Sequence, residues 1–232
     1  MQYLNDLEST INDMVQKGRG ILAADESAPT IAKRFTAINV ESTEENRRVW
    51  RSALLTTPGL GEYISGTSLF EETLKQKTDD GKSIPHAAWA QKIVPGIKVD
   101  KGKGPLALSP GDLITFGLDG LADRLRSYKS QGARFAKWRE VYSIEKHVPT
   151  QHGIEANAEM LARYAAVCQE EGLVPIVEPE VLMDGDHDID RHAEVTEAVQ
   201  REVFAALSRH NVILELMILK PNMILPGKDK RK

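Results

Sequence analysis

Short apolar segments recur along the chain, and each is about as long as a β-strand. Six of them occupy residues 20–25, 63–70, 92–100, 133–142, 173–182 and 212–221. Between most of them, apolar residues return every three or four positions, which is the spacing of a buried helix face. Strand and helix alternate at intervals of roughly 30 to 45 residues, a pattern that predicts repeated βαβ units and a parallel sheet.

Three helices are marked by their apolar spacing and their ends. The clearest spans residues 154–171 and is followed by Gly172, which is suited to a C-terminal cap. A second spans residues 190–209, with valines four positions apart. Ser42 and, three residues later, Glu45 form the pattern of a capping box. We therefore expect a third helix to begin at Ser42.

Charged residues lie near the C-terminal end of five of the six predicted strands. They are Asp25, Lys98 with Asp100, Lys137 with Arg139, Glu178 with Glu180, and Lys220. Residues two apart on a strand share a face, so each pair presents two charges in one direction. Ionisable groups from many strands at one end are typical of the mouth of a (β/α)8 barrel. An open doubly wound sheet would usually gather its ligand at one switch point, so the pattern favours the barrel.

Composition narrows the class of protein. The 232 residues are 41% hydrophobic and no low-complexity linker divides them, so we predict one domain over residues 1–232. The formal net charge of -4 is spread along the chain, which argues against a nucleic-acid or membrane-surface partner. No apolar stretch approaches the ~20 residues of a membrane span. The single cysteine, Cys168, is expected to be buried and suits a reducing compartment, so we predict a cytoplasmic protein.

Lys220 lies at the end of the most apolar of the predicted strands. A lysine at the inner end of such a strand is desolvated, and a nearby cation such as Lys137 would further favour a neutral amine that can attack a carbonyl. The alternative is a lysine whose ammonium extends into water. A Schiff-base enzyme also needs an acid or base to dehydrate the carbinolamine, and Glu178 or Glu180 could supply it.

Other ligand motifs fail on spacing. The aspartates of residues 184–190 resemble a calcium loop, but Ile189 stands where the loop needs glycine. His187 and His192 are five apart without an obvious third ligand, so zinc is not expected. Residues 99–105 lack the glycine spacing of a P-loop, and no stretch fits the dinucleotide fingerprint. We therefore predict neither a metal nor a cofactor.

Eight longer motifs occur in a fixed order along the chain. They are "KGRGILAADES", "STEENRR", "GIKVDKG", "GLDGL", "FAKWR", "VPIVEPE", "DGDHD" and "LKPNM". Together they resemble the class I (Schiff-base) fructose-bisphosphate aldolases over nearly the whole chain. The resemblance implies a (β/α)8 TIM barrel that assembles as a homotetramer. It also implies a reaction of glycolysis and gluconeogenesis, the reversible and metal-independent cleavage of fructose 1,6-bisphosphate to dihydroxyacetone phosphate and glyceraldehyde 3-phosphate.

The resemblance also implies a role for individual residues. Lys220 matches the lysine that forms the imine, Glu178 the general acid/base and Glu180 the second carboxylate of its motif. Lys137 matches a lysine that assists carbinolamine chemistry. Asp25 matches the carboxylate that takes the hydroxyl proton as the carbon–carbon bond breaks. The residues that match positions handling phosphate and substrate are Arg139, Lys98, Ser27, Thr30 and Arg47.

The sequence departs from the family in two respects. It supplies about six of the eight βα units and leaves off roughly the last third, so we expect an incomplete barrel without the phosphate contacts of the last two strands. Two strand edges would then be unpaired, which is an aggregation hazard, and the tetramer could depend on the absent units. Leu216 also stands where glycine is expected, and by alternation it would share a face with Lys220.

Two further functions are compatible with the sequence. The chain could be a catalytically impaired aldolase fragment or remnant that only binds a sugar phosphate or another protein. It could also be an open-sheet binding protein built from six strands. The first hypothesis remains an active aldolase, since the covalent chemistry is present in the motifs.

Overall fold

Strands and helices alternate along the computed structural model, which describes residues 2–230. The strands are β1 (Gly20–Ala24), β2 (Ile64–Leu69), β3 (Val94–Lys98), β4 (Lys103–Pro105), β5 (Leu113–Thr115), β6 (Phe135–Tyr142), β7 (Val174–Val181) and β8 (Ile218–Leu219). The α-helices are α1 (Leu4–Met14), α2 (Ala28–Thr36), α3 (Glu44–Thr56), α4 (Glu71–Leu74), α5 (Ile84–Ala90), α6 (Leu121–Ser130), α7 (Gln151–Glu170) and α8 (Ile189–Arg209). Short 3-10 helices occupy Leu60–Glu62, Leu214–Leu216 and Lys228–Lys230.

The hydrogen-bonded strand order follows the chain. Six strands are ordered β1-β2-β3-β6-β7-β8, while β4 and β5 form a separate antiparallel pair. The pairs β1–β2, β2–β3 and β7–β8 are parallel. Parallel strands that follow one another in chain order, with helices between them, are the arrangement of a (β/α)8 barrel. The order therefore agrees with the predicted class of fold.

The chain separates into two compact units, each made of several segments. The first contains the residues up to Val99 together with Asp123–Ala136 and Glu171–Val174. The second contains Asp100–Ala122, Lys137–Glu170 and the residues from Pro175 onward. The single domain over residues 1–232 stays a prediction, and residues 1, 231 and 232 of that range lie outside the described part of the chain.

The first unit is built on the parallel strands β1, β2 and β3. Ala24 pairs with Leu69 and Leu69 pairs with Ile97, and these side chains are at most 1% exposed. The ring of Phe135 lies directly against Gly96, where a Cβ atom would come within 2.3 Å of ring carbons. Glycine is therefore needed in this strand, because it lets an aromatic ring approach the backbone closely.

The second unit packs helices α7 and α8 against each other. Buried alanines on α7, including Ala158 and Ala165, allow the close approach of its neighbours. The rings of Trp138 and Tyr164 lie 5.4 Å apart between their centroids and extend this core. Cys168 is fully buried on α7, as the sequence predicts.

Most of the predicted elements are present. Strands β1, β2, β3, β6 and β7 lie within the first five predicted segments, and α7 and α8 overlap the two long predicted helices. Gly172 follows α7 with a φ of +76°, a left-handed conformation that suits its predicted role as a cap.

The predicted strand over residues 212–221 is wrong for most of its length. Only Ile218–Leu219 is a strand, and Leu214–Leu216 forms a 3-10 turn instead. The side chain of Gln169 on α7 explains the turn. Its amide donates to the carbonyls of Ile213 and Leu216, and its carbonyl accepts from the Ile213 amide. Because Leu216 lies in this turn, strand alternation does not place its side chain beside Lys220.

The predicted capping box is also wrong. Helix α3 begins at Glu44, and Thr43 is its N-cap, with its hydroxyl accepting from the Asn46 amide at 3.1 Å. Ser42 instead lies one residue outside the helix, and its carbonyl accepts from Arg47. A threonine next to a serine offers an equivalent hydroxyl, so the helix starts one residue later than the pattern indicates.

Candidate active site

Two pairs of charged residues lie on the neighbouring strands β6 and β7, within the second unit. Alternation places Lys137 and Arg139 on one face of β6, and Glu178 and Glu180 on one face of β7. The Lys137 ammonium is 2.7 Å from Oε2 of Glu178, and Arg139 forms an ion pair with Glu180. The predicted pairs of cations and carboxylates are thus brought together.

Lys220 joins the first of these pairs. Its backbone amide donates to the Val177 carbonyl at 2.9 Å, which sets Lys220 beside the middle of β7. Its Nζ atom is 2.6 Å from Oε1 of Glu178. One carboxylate therefore bridges two ammonium groups, with Lys137 on one oxygen and Lys220 on the other. The predicted proximity of Lys137 to Lys220 is confirmed.

The two lysines differ in burial. The side chain of Lys137 is 9% exposed and that of Glu178 is 7% exposed, whereas the side chain of Lys220 is 46% exposed. The prediction that Lys220 is desolvated by its strand is therefore wrong in this structure, because the strand is only two residues long and ends before Lys220. The ammonium contacts a carboxylate and also faces solvent. This placement is close to the alternative interpretation of the sequence, in which the lysine extends into water.

A cavity of about 230 Å³ lies in front of this cluster. Its lining combines the two glutamates and Lys220 with apolar and amide side chains, among them Met183, Asn222 and Met223. Such a mixture of a few convergent polar groups with apolar walls is typical of a small-molecule site. The cavity thus gives a ligand access to the exposed face of Lys220.

Two residues near this cavity were not predicted. Lys103 on β4 has its pKa lowered, first by burial and then by the charge of Arg139, while Glu180 acts in the opposite direction. Asn222 accepts a hydrogen bond from the Val181 amide at 3.1 Å. Lys103 could have been noticed as a cation after the third strand, and Asn222 lies within the quoted "LKPNM" motif.

The opposite face of β6 carries a different carboxyl group. Glu140 is fully buried, and it accepts from the indole Nε1 of Trp138 at 2.8 Å and from the Thr115 amide at 3.2 Å. Burial raises its pKa to about 7, although these two donors act in the opposite direction. The hydroxyl of Thr115 also donates to the Arg139 carbonyl, which fixes the β4–β5 hairpin against β6.

The remaining predicted site residues lie in the first unit. Asp25 follows β1 and is 7% exposed, and Ser68 donates to its Oδ2 at 3.1 Å. Ser27 and Thr30 have hydroxyls 3.1 Å apart at the start of α2. Lys98 is the last residue of β3. A polar cluster thus also occurs at the strand ends of this unit.

Arg47 is engaged by a carboxylate in this structure. Its guanidinium donates twice to Glu72, at 2.8 and 2.5 Å, and once to the Ser42 carbonyl at 2.6 Å. Arg51, which is fully buried, lies 3.5 Å from the same carboxylate, and burial lowers its pKa. Arg47 is therefore held in a fixed geometry at the edge of α3.

The sequence also raised the question of metal and membrane sites. Within residues 2–230, no three or more His, Cys, Asp or Glu side chains are grouped so that they could hold a metal ion. The rings of His187 and His192 are 5.2 Å apart, and both are buried. Among the described helices, none combines the length and the apolarity needed to cross a bilayer.

Comparison with known proteins gives the family. The family described as "Fructose-bisphosphate aldolase class-I" matches residues 6–232. A "Probable fructose-bisphosphate aldolase class 1" of Xanthomonas campestris is 57% identical over 227 residues, which are 97% of this chain and 67% of that protein. "Fructose-bisphosphate aldolase 4, cytosolic" of Arabidopsis thaliana is 57% identical over 212 residues, which are 91% of this chain and 54% of that protein.

A solved structure gives the same result for the fold. Fructose-bisphosphate aldolase from Plasmodium falciparum, in complex with TRAP and a small molecule inhibitor, aligns with a TM-score of 0.95 at 48% identity. The alignment covers 98% of this chain and 66% of that one. The fold is therefore an incomplete (β/α)8 barrel of the aldolase type, and within the described residues its main sheet has six strands.

These matches define the class as Schiff-base aldolases, which are lyases that act on sugar phosphates through a lysine and without a metal. The chain belongs to the class I fructose-bisphosphate aldolase family. It spans about two thirds of the length of the Xanthomonas relative and about half that of the Arabidopsis one.

Proposed function

We propose that Lys220 is the residue through which this chain forms a Schiff base with fructose 1,6-bisphosphate or dihydroxyacetone phosphate. The observation that carries the proposal is the Glu178 carboxylate, which lies 2.6 Å from the Lys220 ammonium and 2.7 Å from that of Lys137. A lysine attacks a carbonyl only as the neutral amine, so it needs an adjacent acceptor for its proton. Glu178 is within hydrogen-bond reach for that transfer.

The reaction then follows from proton movements at this cluster. The Lys220 nitrogen bonds to the ketone carbon, and the resulting carbinolamine loses water when Glu178 donates a proton to the leaving hydroxyl. The iminium accepts the electron pair of the breaking carbon–carbon bond, which releases glyceraldehyde 3-phosphate and leaves an enamine. Protonation of the enamine carbon and addition of water then release dihydroxyacetone phosphate and the free lysine.

Lys137 has an electrostatic role in this proposal. Its side chain is only 9% exposed, so its positive charge acts on Glu178 with little screening by water. It would also stabilise negative charge on the carbinolamine oxygen. Glu180, ion-paired with Arg139, would hold that guanidinium where a phosphate can replace or join the carboxylate.

The roles of the first-unit residues rest on the family motifs. Asp25 would accept the hydroxyl proton during carbon–carbon cleavage, and its buried position beside Ser68 suits a carboxylate that acts on a substrate. Lys98, Ser27, Thr30 and Arg47 would bind phosphate or substrate hydroxyls. In this scheme a phosphate would compete with Glu72 for Arg47.

The setting of the protein follows from its relatives. We place it in the cytoplasm, because relatives such as the Arabidopsis aldolases 4 and 5 are named cytosolic. We further propose that it acts as a single domain and assembles as a homotetramer. Sedimentation of the purified chain at several concentrations would test the oligomer, and a stable monomer would contradict it.

Trapping of the imine tests the central proposal. Borohydride reduction in the presence of dihydroxyacetone phosphate should attach the triose to Lys220, and peptide mass spectrometry should locate it there. Lys220→Ala should remove the label, while Lys75→Ala, which changes an exposed lysine elsewhere, should not. Labelling that persists in Lys220→Ala would contradict the assignment. Trapping without turnover of fructose 1,6-bisphosphate would identify a chain that binds but does not cleave.

A further inference from the structure

We propose that Asn222 and Thr196 are positioning residues for Lys220, a role that rests on the proposed function of that lysine. They hold the chain on the C-terminal side of Lys220 against β7 and α8. The ammonium of a flexible side chain can remain beside Glu178 only if its backbone is held on both sides. Strand β8, which ends just before Lys220, provides this hold on one side only.

The ladder between β7 and β8 is short. Ile218 pairs with Ile176 and Leu219 with Val177, and the last main-chain bond runs from the Lys220 amide to the Val177 carbonyl. Pro179 prevents its continuation, because it has no N–H to donate to the Lys220 carbonyl. Main-chain hydrogen bonds therefore hold the chain only as far as Lys220, which is the residue whose position matters.

The side chain of Asn222 extends this ladder. In a continued parallel pairing, the Val181 amide would donate to the main-chain carbonyl of residue 222. In the structure it donates to Oδ1 of the Asn222 side chain instead, at 3.1 Å. The Asn222 side chain thus takes the place of the missing strand backbone two residues beyond Lys220.

Thr196 fixes the orientation of that amide. The Nδ2 atom of Asn222 donates to Oγ1 of Thr196 at 3.1 Å, and Thr196 is 4% exposed on α8. The same hydroxyl lies 3.4 Å from Nδ1 of His192. Because a hydroxyl can accept and donate at once, Thr196 can bond the amide and the imidazole together. Lys220 is therefore held through Val177 before it and through Asn222 and Thr196 after it.

Loss of either side chain should slow imine formation without weakening substrate affinity to the same degree. Small displacements of a reacting group cost about a hundred-fold in rate, so we expect Asn222→Ala to slow trapping by roughly ten- to a hundred-fold. Thr196→Val, which keeps the shape and removes the hydroxyl, should slow it by a smaller factor. Thr196→Ser should restore it. The concentration of dihydroxyacetone phosphate that gives half-maximal trapping should change little.

A second measurement does not depend on activity. Hydrogen exchange of the Val181 amide should accelerate in Asn222→Ala, because its acceptor is gone, and in Thr196→Val to a lesser extent. The matched control is Asn12→Ala, the same change on the exposed surface of α1, which should alter neither measurement. If Asn222→Ala does not fold, the comparison of the isosteric Thr196→Val with Thr196→Ser tests the proposal instead.

The outcomes separate the two proposals. No labelling of the unaltered chain would contradict the proposed function of Lys220. Normal labelling of that chain, with trapping rates unchanged in Asn222→Ala and Thr196→Val, would overturn the positioning role alone. Slower trapping without faster exchange at Val181, or without rescue by Thr196→Ser, would overturn it as well, since the loss would then arise elsewhere.

Discussion

Each face of strand β6 carries a buried ionisable group, and the two groups have partners of different charge. On one face, the side chain of Lys137 is 9% exposed and pairs with the carboxylate of Glu178. On the other face, Glu140 is fully buried and accepts from the Trp138 indole and the Thr115 amide, which are neutral donors. The lysine and the glutamate are three positions apart on the same strand, and they differ in the groups that surround them.

The carboxyl groups of Glu178 and Glu140 differ in the charge of their hydrogen-bonding partners. Glu178 lies 2.7 Å from the ammonium of Lys137. Glu140 has only neutral donors, which do not offset its burial, and its pKa is raised to about 7. The Lys137 side of the strand thus holds charges for chemistry. The core side holds a carboxyl group that is substantially protonated near neutral pH.

The largest effect on stability is expected from Glu178→Ala. It leaves the buried ammonium of Lys137 without this carboxylate, and breaking a buried ion pair typically costs about 3 to 5 kcal/mol. Urea denaturation would measure the change in the free energy of unfolding. The matched control is the double variant Lys137→Met with Glu178→Met, which removes both charges and should cost much less. Equal losses in the single and double variants would show that the charge of Lys137 does not matter.

A smaller and pH-dependent effect is expected from Glu140→Gln. The folded-state pKa of Glu140, about 7, lies above its ordinary value of 4.5. Its stabilising contribution is therefore complete below the lower value and is lost as the pH rises through the higher one. The loss in the unaltered protein should be about 3 kcal/mol, and Glu140→Gln should not show it.

Free energies of unfolding at about pH 5 and about pH 8 would measure this difference. Glu197→Gln is the control, because Glu197 is exposed on α8 and its pair with Arg201 lies in solvent. An identical pH dependence in Glu140→Gln and the unaltered protein would mean that Glu140 is ionised throughout, and the contrast between the two faces would be lost.

The smallest effect on stability is expected from Arg139→Ala. The side chains of Arg139 and Glu180 are 39% and 30% exposed, so water screens their attraction. Pairs of this kind contribute about 0 to 1 kcal/mol, and less at high salt. Thermal denaturation with and without salt would measure the change, and Arg139→Lys would preserve the charge. A loss as large as that of Glu178→Ala would remove the distinction between buried and exposed pairs.

The fold was predictable where local pattern and tertiary packing agree. Strands such as β3 and β7 are short apolar runs that remain buried in the structure. The segment 212–221 was not predictable, because its conformation is set by hydrogen bonds from Gln169 on α7. The β4–β5 hairpin was missed because Lys103–Pro105 contains glycine and proline, which strands usually avoid.

The candidate site was predictable as a set of residues but not as a set of bonds. Alternation places Lys137 with Arg139 and Glu178 with Glu180. The strand register determines that the Glu178 carboxylate contacts two lysines. The exposure of Lys220 depends on where β8 ends. The residues around Asn222 do not indicate that its side chain accepts a hydrogen bond in place of a strand backbone.

The burial of Cys168 makes the protein convenient for optical measurements. It is the sole cysteine in the sequence and is fully enclosed on α7, so thiol reagents should not reach it in the folded state. A cysteine introduced at Met223, which is 71% exposed and lines the cavity beside Lys220, would then be the one accessible thiol. A fluorophore attached there would report on the segment that carries Lys220 while the rest of the molecule stays unlabelled.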